Sequence, residues 1–204
     1  ACLPYILENG ADWFAGIGAP KYPGTKILTL TGDIENATYF EVPTDYILKD
    51  VIYKLGGGIK NGKKFKAVQV GGTSGAFIPE QNLDTPIDFD SMGAIGAALG
   101  SGAVFVVDET RDIVDIVTRI SKFFEHESCG KCNPCREGTF RCREIMEKIN
   151  AGWGTTSDID NLILLGNVMK KAALCGLGQA APVPILSTIE HFRHEYSRKL
   201  LQYA

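Results

Sequence analysis

Ser128-Cys129-Gly130-Lys131-Cys132-Asn133-Pro134-Cys135-Arg136-Glu137-Gly138 is the stretch from which the rest of the chain can be read. It spaces three cysteines as C-x2-C-x2-C, between two segments of helical periodicity. Two-residue gaps let one loop curl so that three thiolates face a common centre. Gly130 relieves crowding in that loop and Pro134 stiffens its turn. The loop runs into the start of a helix, whose first N–H groups have no partner within the helix and point at the anionic sulfurs. Lys131 and Arg136 add positive charge, which favours thiolate over thiol and offsets the negative charge of a thiolate-bound cluster.

Three cysteines at this spacing with a remote fourth are the arrangement that binds a [4Fe-4S] cluster. Two residues compete for the fourth position. Cys142 follows Cys135 by seven residues, about 10 Å along one helix at 1.5 Å per residue. That is too far for neighbouring corners of one cubane, and Cys142 also falls on the apolar stripe, where a buried structural thiol is expected. Cys175 lies in Leu174-Cys175-Gly176-Leu177-Gly178-Gln179, where two glycines free the backbone to turn over a cluster. Cys129, Cys132, Cys135 and Cys175 are therefore the expected ligands. A structural zinc on four cysteines is the alternative, although zinc ribbons pair two C-x2-C units. His126, three residues before Cys129, reads as a solvated helix-end histidine, with ligation the lesser alternative. His191 and His194 read as surface or partner-facing, and Cys2 as an ordinary thiol.

The flanking sequence divides in two. After Asp108, four amphipathic helices are expected. The first carries Ile113, Ile116, Val117, Ile120 and Phe124, capped by Asp108 or Thr110. The second carries Cys142, Ile145, Met146 and Ile149. The third is capped by Ser157 or Asp158, with Ile159, Leu162, Ile163, Val168 and Met169 inward. The last follows Pro182 and Pro184. Short connections between such helices make a bundle. Before Asp108, Ile27–Thr31 and Tyr39–Val42 read as a hairpin, and a helix capped by Thr44 ends near Leu55. Phe65–Val70 and Ala103–Val107 read as further strands. Residues 1–25 read as irregular, with one short amphipathic piece around Trp13 and Phe14. The fold class is α+β, with a helix packed across a mixed sheet in the first half.

Composition agrees. Residues 1–108 hold 16 of the 23 glycines and no arginine, whereas residues 109–204 hold every arginine and 5 of the 6 cysteines. The net charge of −3 argues against a nucleic-acid partner. No apolar run reaches the ~18 residues of a membrane helix. Cysteine crowding of this kind suits a reducing compartment, hence a cytoplasmic location. Gly56-Gly57-Gly58 and Gly71-Gly72-Thr73-Ser74-Gly75 match neither G-x-G-x-x-G nor Walker A and read as tight turns. No nucleophile triad or paired carboxylates stand out. The opening Ala1-Cys2-Leu3-Pro4 reads as the interior of a longer chain.

The segments Glu127–Thr139, Ala173–Gln179 and Pro184–Thr188 closely resemble the flavin-bearing NADH-dehydrogenase subunit of complex I, the 51 kDa type. They equally resemble its homologues in NAD(P)-linked iron-only hydrogenases and formate dehydrogenases. Asn9–Phe14, Pro23–Lys26, Gly71–Gly75 and Asp88–Ser91 carry the same resemblance upstream. It implies a tail of a flavin-binding domain at 1–25, a ubiquitin-like β-grasp (soluble ligand-binding) domain at 26–108, and a four-helix bundle with a [4Fe-4S] cluster at 109–204. Cys129, Cys132, Cys135 and Cys175 match the cluster ligands. The resemblance implies electron relay between FMN, reduced by NADH, and clusters on iron-sulfur partner subunits, in an assembly peripheral to a membrane where the parent is a membrane complex. FMN and NAD(H) belong to a domain expected to precede this region, so these residues alone are not expected to turn over NADH. A non-redox reading also stands: a zinc-stabilised scaffold, or a module binding a ligand or partner through its first half.

Overall fold

In a computed structural model, residues 2–201 are described. The expectation attached to the opening Ala1 lies outside the described residues. The fold is α+β, with one mixed five-stranded sheet and a set of helices. Two compact units are formed, Ala1–Gly72 with Ile78–Glu109, and Thr73–Phe77 with Thr110–Ala204.

The first unit opens with two short helices, α1 (Leu3–Asn9) and α2 (Ala11–Ala15), and a two-stranded ribbon, β1 (Gly18–Ala19) and β2 (Tyr22–Pro23). β3 (Thr25–Gly32) alternates as a half-buried strand must, with Leu28 and Leu30 wholly buried and Ile27, Thr29 and Thr31 outward. It pairs antiparallel with β4 (Tyr39–Pro43), Leu28 opposite Phe40. On its other side lies β7 (Ala103–Asp108), parallel, with Leu30 opposite Val104. β5 (Phe65–Val70) pairs antiparallel with β7, and β6 (Phe77–Pro79) completes the order β4-β3-β7-β5-β6.

The helix expected from Thr44 starts later. α3 (Leu48–Asp50) runs directly into a wider π-type turn, Val51–Leu55, in which Gly56 N–H reaches back five residues to the Val51 carbonyl at 2.9 Å. Leu48, Val51 and Ile52 are its buried face. Thr44 is not its cap. Its hydroxyl donates to the Tyr22 carbonyl and accepts from Ala19 N–H, which ties the β1–β2 ribbon to the end of β4. α4 (Phe89–Ala94) occupies the apolar segment near Met92, with Asp88 accepting from Ser91 N–H as N-cap.

The second unit contains α5 (Ile113–Glu127), α6 (Asn133–Asn150), α7 (Thr156–Ala172), the short α8 (Gly176–Ala180) and α9 (Val183–Ser197). α5 packs on α6 and α9, and α7 packs on α6, α8 and α9. Two caps differ from expectation. Asp112, not Asp108 or Thr110, caps α5 through Asp115 N–H. Thr155, not Ser157 or Asp158, caps α7 in a reciprocal box with Asp158. Val168 is exposed rather than inward, because at 100° per residue it turns away when its neighbour Met169 takes the core position. α9 contributes more than apolar area. Its buried Glu195 accepts from Ile113 N–H at 3.1 Å, satisfying the start of α5, and Tyr196 hydroxyl bonds Thr188 at 2.7 Å.

Gly32 is where the sheet leaves no room. At φ +94° it lies so close to β7 that a Cβ would sit 2.1 Å from the Val106 carbonyl oxygen. Gly32→Ala is expected to cost about 2 kcal/mol or more and to lower Tm by at least ~4 °C. Gly93→Ala is the control, since Gly93 is helical and has nothing within 4 Å of its added Cβ. Circular-dichroism melts should show it neutral or slightly stabilised; equal losses in both variants would contradict the packing described.

Candidate metal centre

Near-equal helix lengths bring the segment after α7 back to the three-cysteine loop. α6 has 18 residues and α7 has 17, so each spans about 26 Å. They run antiparallel. Gly138, near the start of α6, faces Met169, near the end of α7, with a would-be Cβ 2.5 Å from the Met169 sulfur. At the other end Lys148 bonds Asp158 at 2.7 Å. The chain therefore returns after Ala172 to the level at which α6 began.

The returning segment lies against the loop. An added Cβ at Gly178 would stand 2.9 Å from Cys135 Cβ, 3.2 Å from Cys135 Sγ and 2.6 Å from Ala173 Cβ. Only a residue without a side chain fits between them. The Leu174 backbone N–H favours the Cys132 thiolate. Gln179 Nε2 bonds the Ala173 carbonyl at 2.9 Å and locks the turn that carries Cys175. Cys132 is the N-cap of α6 and Cys175 the N-cap of α8, both with extended backbone and neither with a side-chain cap bond. Residues 132–135 and 174–178 thus share one neighbourhood. Cys129 stands exposed at the start of the loop, Cys132 is half-buried, Cys135 is buried and Cys175 is exposed.

The basic residues behave differently from each other. Arg136 donates to the Gly130 carbonyl at 2.8 Å and to Asn133 Oδ1 at 2.6 Å, and pairs with Glu137 at 3.0 Å. Its guanidinium closes the loop on itself. Lys131 is exposed in the loop. Gly130 has φ +71°, which lets the loop fold back far enough to meet Arg136.

The thiols also differ electrostatically. Backbone N–H groups of Leu174 and Cys135, and more weakly the Arg136 charge, hold the Cys132 thiol below its ordinary range. Burial pushes the Cys142 thiol up to about 12. Cys142 is 3 % exposed and borders a cavity of about 10 Å³ with Phe124, Thr139 and Met169, apart from the loop. His126 and His194 are exposed and His191 packs edge-on against Phe192. Among the described residues, no three His, Cys, Asp or Glu side chains gather around a position for a single metal ion.

Several contributors had only weak sequence signals. Ser128, the residue before Cys129, places its hydroxyl 3.3 Å from Cys135 Sγ. Thr139 donates to the Cys135 carbonyl at 2.8 Å. Gly178 and the five-residue α8 were visible only as glycines in a turn.

A thiol is alkylated as thiolate, so a lowered pKa speeds the reaction and a raised one suppresses it. In metal-free protein at pH 8, iodoacetamide should label Cys132 rapidly. Cys142, with a thiolate fraction of about 10⁻⁴ there, should stay unlabelled until the protein unfolds. Peptide mass spectrometry reads both sites, and comparable rates at the two would contradict the electrostatics described.

Residues 115–199 match the family described as "NADH-ubiquinone oxidoreductase-F iron-sulfur binding region". The chain is 46% identical over 196 residues to the NADP-reducing hydrogenase subunit HndC of Solidesulfovibrio fructosivorans, covering 96% of this chain and 40% of that one. It is 40% identical to the NADH-quinone oxidoreductase F 2 subunit of Rhizobium meliloti strain 1021, covering 96% and 47%. With the NADH-quinone oxidoreductase F-type subunit of Rickettsia rickettsii strain Sheila Smith the identity is 39%, covering 100% and 49%. The chain thus spans less than half the length of these curated relatives. A chain of the NAD⁺-reducing [NiFe]-hydrogenase, solved in the H2-reduced state, superposes with a TM-score of 0.88 at 34% identity, covering 99% of this chain and 34% of that chain. No helix among the described residues is long and apolar enough to cross a membrane. Residues 115–199 thus resemble the NADH-ubiquinone oxidoreductase-F iron-sulfur binding region, and nearly the whole chain is similar to part of NADH-quinone oxidoreductase F-type subunits and of a hydrogenase counterpart.

Proposed function

We propose that this region is the electron-relay part of an NADH-oxidising or NAD(P)-reducing flavin/iron-sulfur subunit, and that Cys129, Cys132, Cys135 and Cys175 hold its [4Fe-4S] cluster. The observation that carries the proposal is the approach of Gly178 to Cys135, which sets the Cys175 turn against the three-cysteine loop. The donor set also fits. A tetrahedral zinc site with Zn–S of about 2.3 Å holds its sulfurs about 3.8 Å apart. A cubane distributes four thiolates over four irons and needs a wider ring of donors. When bound, the cluster would supply one-electron chemistry.

The chain's own residues prepare the ring. The start of α6 directs unpaired N–H groups toward the sulfurs. Backbone donors at Leu174 and Cys135 favour thiolate at Cys132. Arg136 holds the loop closed, and Lys131 adds positive charge beside an anionic centre. We read the first unit as a ubiquitin-like β-grasp domain over 26–108 and the long helices as a four-helix bundle over 109–204. The mixed sheet, with its hairpin followed by a short helix, and the packing among α5, α6, α7 and α9 support this reading. Residues 1–25 are then the end of a preceding flavin domain. FMN and NAD(H) belong to that domain, and electrons pass to or from iron-sulfur partner subunits in a cytoplasmic, membrane-peripheral or free assembly.

Anaerobically purified protein is expected to contain about four iron and four acid-labile sulfide per chain, with visible absorbance that bleaches on reduction. Cys175→Ser should lose most of the cluster, whereas Cys142→Ser should keep it. Zinc without sulfide would defeat the cluster assignment. Retention in Cys175→Ser with loss in Cys142→Ser would defeat the ligand assignment.

A further inference from the structure

Cys135 differs from Cys132 in how its sulfur is served. The Cys132 thiolate is favoured by backbone N–H groups of Leu174 and Cys135, which an ordinary side-chain change leaves in place. Cys135 has a side-chain neighbour. Ser128 Oγ lies 3.3 Å from Cys135 Sγ and accepts from Gly130 N–H, also at 3.3 Å. Ser128 is the C-cap of α5, in extended backbone at φ −66° and ψ 122°, so the helix end fixes where the hydroxyl sits. Cys135 is 5 % exposed. A dipole acting on a buried sulfur is screened little by water.

The direction of this hydrogen bond follows from the chemistry. A free thiol could donate to the hydroxyl or accept from it. A thiolate ligand has no proton, so the hydroxyl must donate. The Gly130 N–H occupies the hydroxyl oxygen from another side, which leaves the O–H free to point at sulfur.

We propose that Ser128 is a positioning residue for electron transfer: its hydroxyl donates to Cys135 Sγ and raises the reduction potential of the cluster. The proposal rests on the cluster reading above. One electron enters from a low-potential donor, a reduced flavin in the full subunit or dithionite in the test. No bond to Ser128 forms or breaks and no proton moves. The thiolates become more negative, and the Ser128 O–H dipole stabilises that added charge more than it stabilises the oxidised state. Hydrogen bonds to sulfur are among the levers that set the potentials of such clusters.

The test is a redox titration of the anaerobically purified protein, followed by electron paramagnetic resonance, for the unmodified protein, Ser128→Ala and Ser128→Thr. Iron and sulfide analysis comes first. With iron and sulfide unchanged, Ser128→Ala should have a more negative midpoint, an equilibrium constant for reduction about tenfold lower, or ~59 mV for a one-electron couple. Ser128→Thr, which keeps a hydroxyl, should stay near the unmodified value. An unchanged or more positive midpoint in Ser128→Ala would overturn the proposal, as would the same shift in both variants. Loss of the cluster from Ser128→Ala but not from Ser128→Thr would make the hydroxyl an assembly requirement and overturn the tuning role. Absence of iron and sulfide from the unmodified protein would instead overturn the cluster reading beneath it.

Discussion

The contact between Gly178 and the Cys135 side chain constrains everything around it. A single methyl group added at residue 178 would overlap Cys135 and Ala173. For that contact to exist, the chain must leave Cys135, travel down one helix, turn and come back to the same height. Matched lengths in α6 and α7 achieve this, and the Gly138–Met169 approach keeps the two helices close enough for the return to land on the loop. The Thr155–Asp158 capping box and the Lys148–Asp158 pair hold the far end of the same hairpin. Packing of these two helices and placement of Cys175 are thus one problem with one solution.

Local electrostatics then separate the thiols by role. Cys132 and Cys142 belong to the same helix and carry the same functional group. One caps the helix beside backbone donors; the other is sealed among Phe124, Thr139 and Met169. Their pKa values move in opposite directions for that reason alone. Arg136 shows that a charged residue near a site can act mostly through structure. Its donors are used by Gly130, Asn133 and Glu137, so its main contribution is the shape of the loop, with a weaker pull of its charge on the Cys132 thiol.

Much of this was legible before any coordinates. The three-cysteine spacing is short-range, and the apolar periods of the long helices are local, so both appear in the sequence directly. The strands beginning near Ile27, Phe65 and Ala103 were legible for the same reason. What escaped reading depends on partners distant in sequence. Thr44 looks like a cap, but its hydroxyl serves Tyr22 and Ala19 instead. Several polar residues lie within one turn of each helix start, and only the backbone path selects Asp112 or Thr155 among them. The π-type turn at Val51–Leu55 and the short α8 are too brief to impose a period. Ser128 is one residue from the most conspicuous motif in the chain, yet its relation to Cys135 requires the loop to close first.

The central claim is that the loop cysteines and Cys175 hold a polynuclear iron-sulfur centre rather than a single ion. X-ray absorption at the iron and zinc edges of anaerobically purified protein tests it most directly. The predicted result is iron surrounded by sulfur, with further iron atoms as second neighbours. A zinc edge with four sulfur neighbours and no second metal would contradict it.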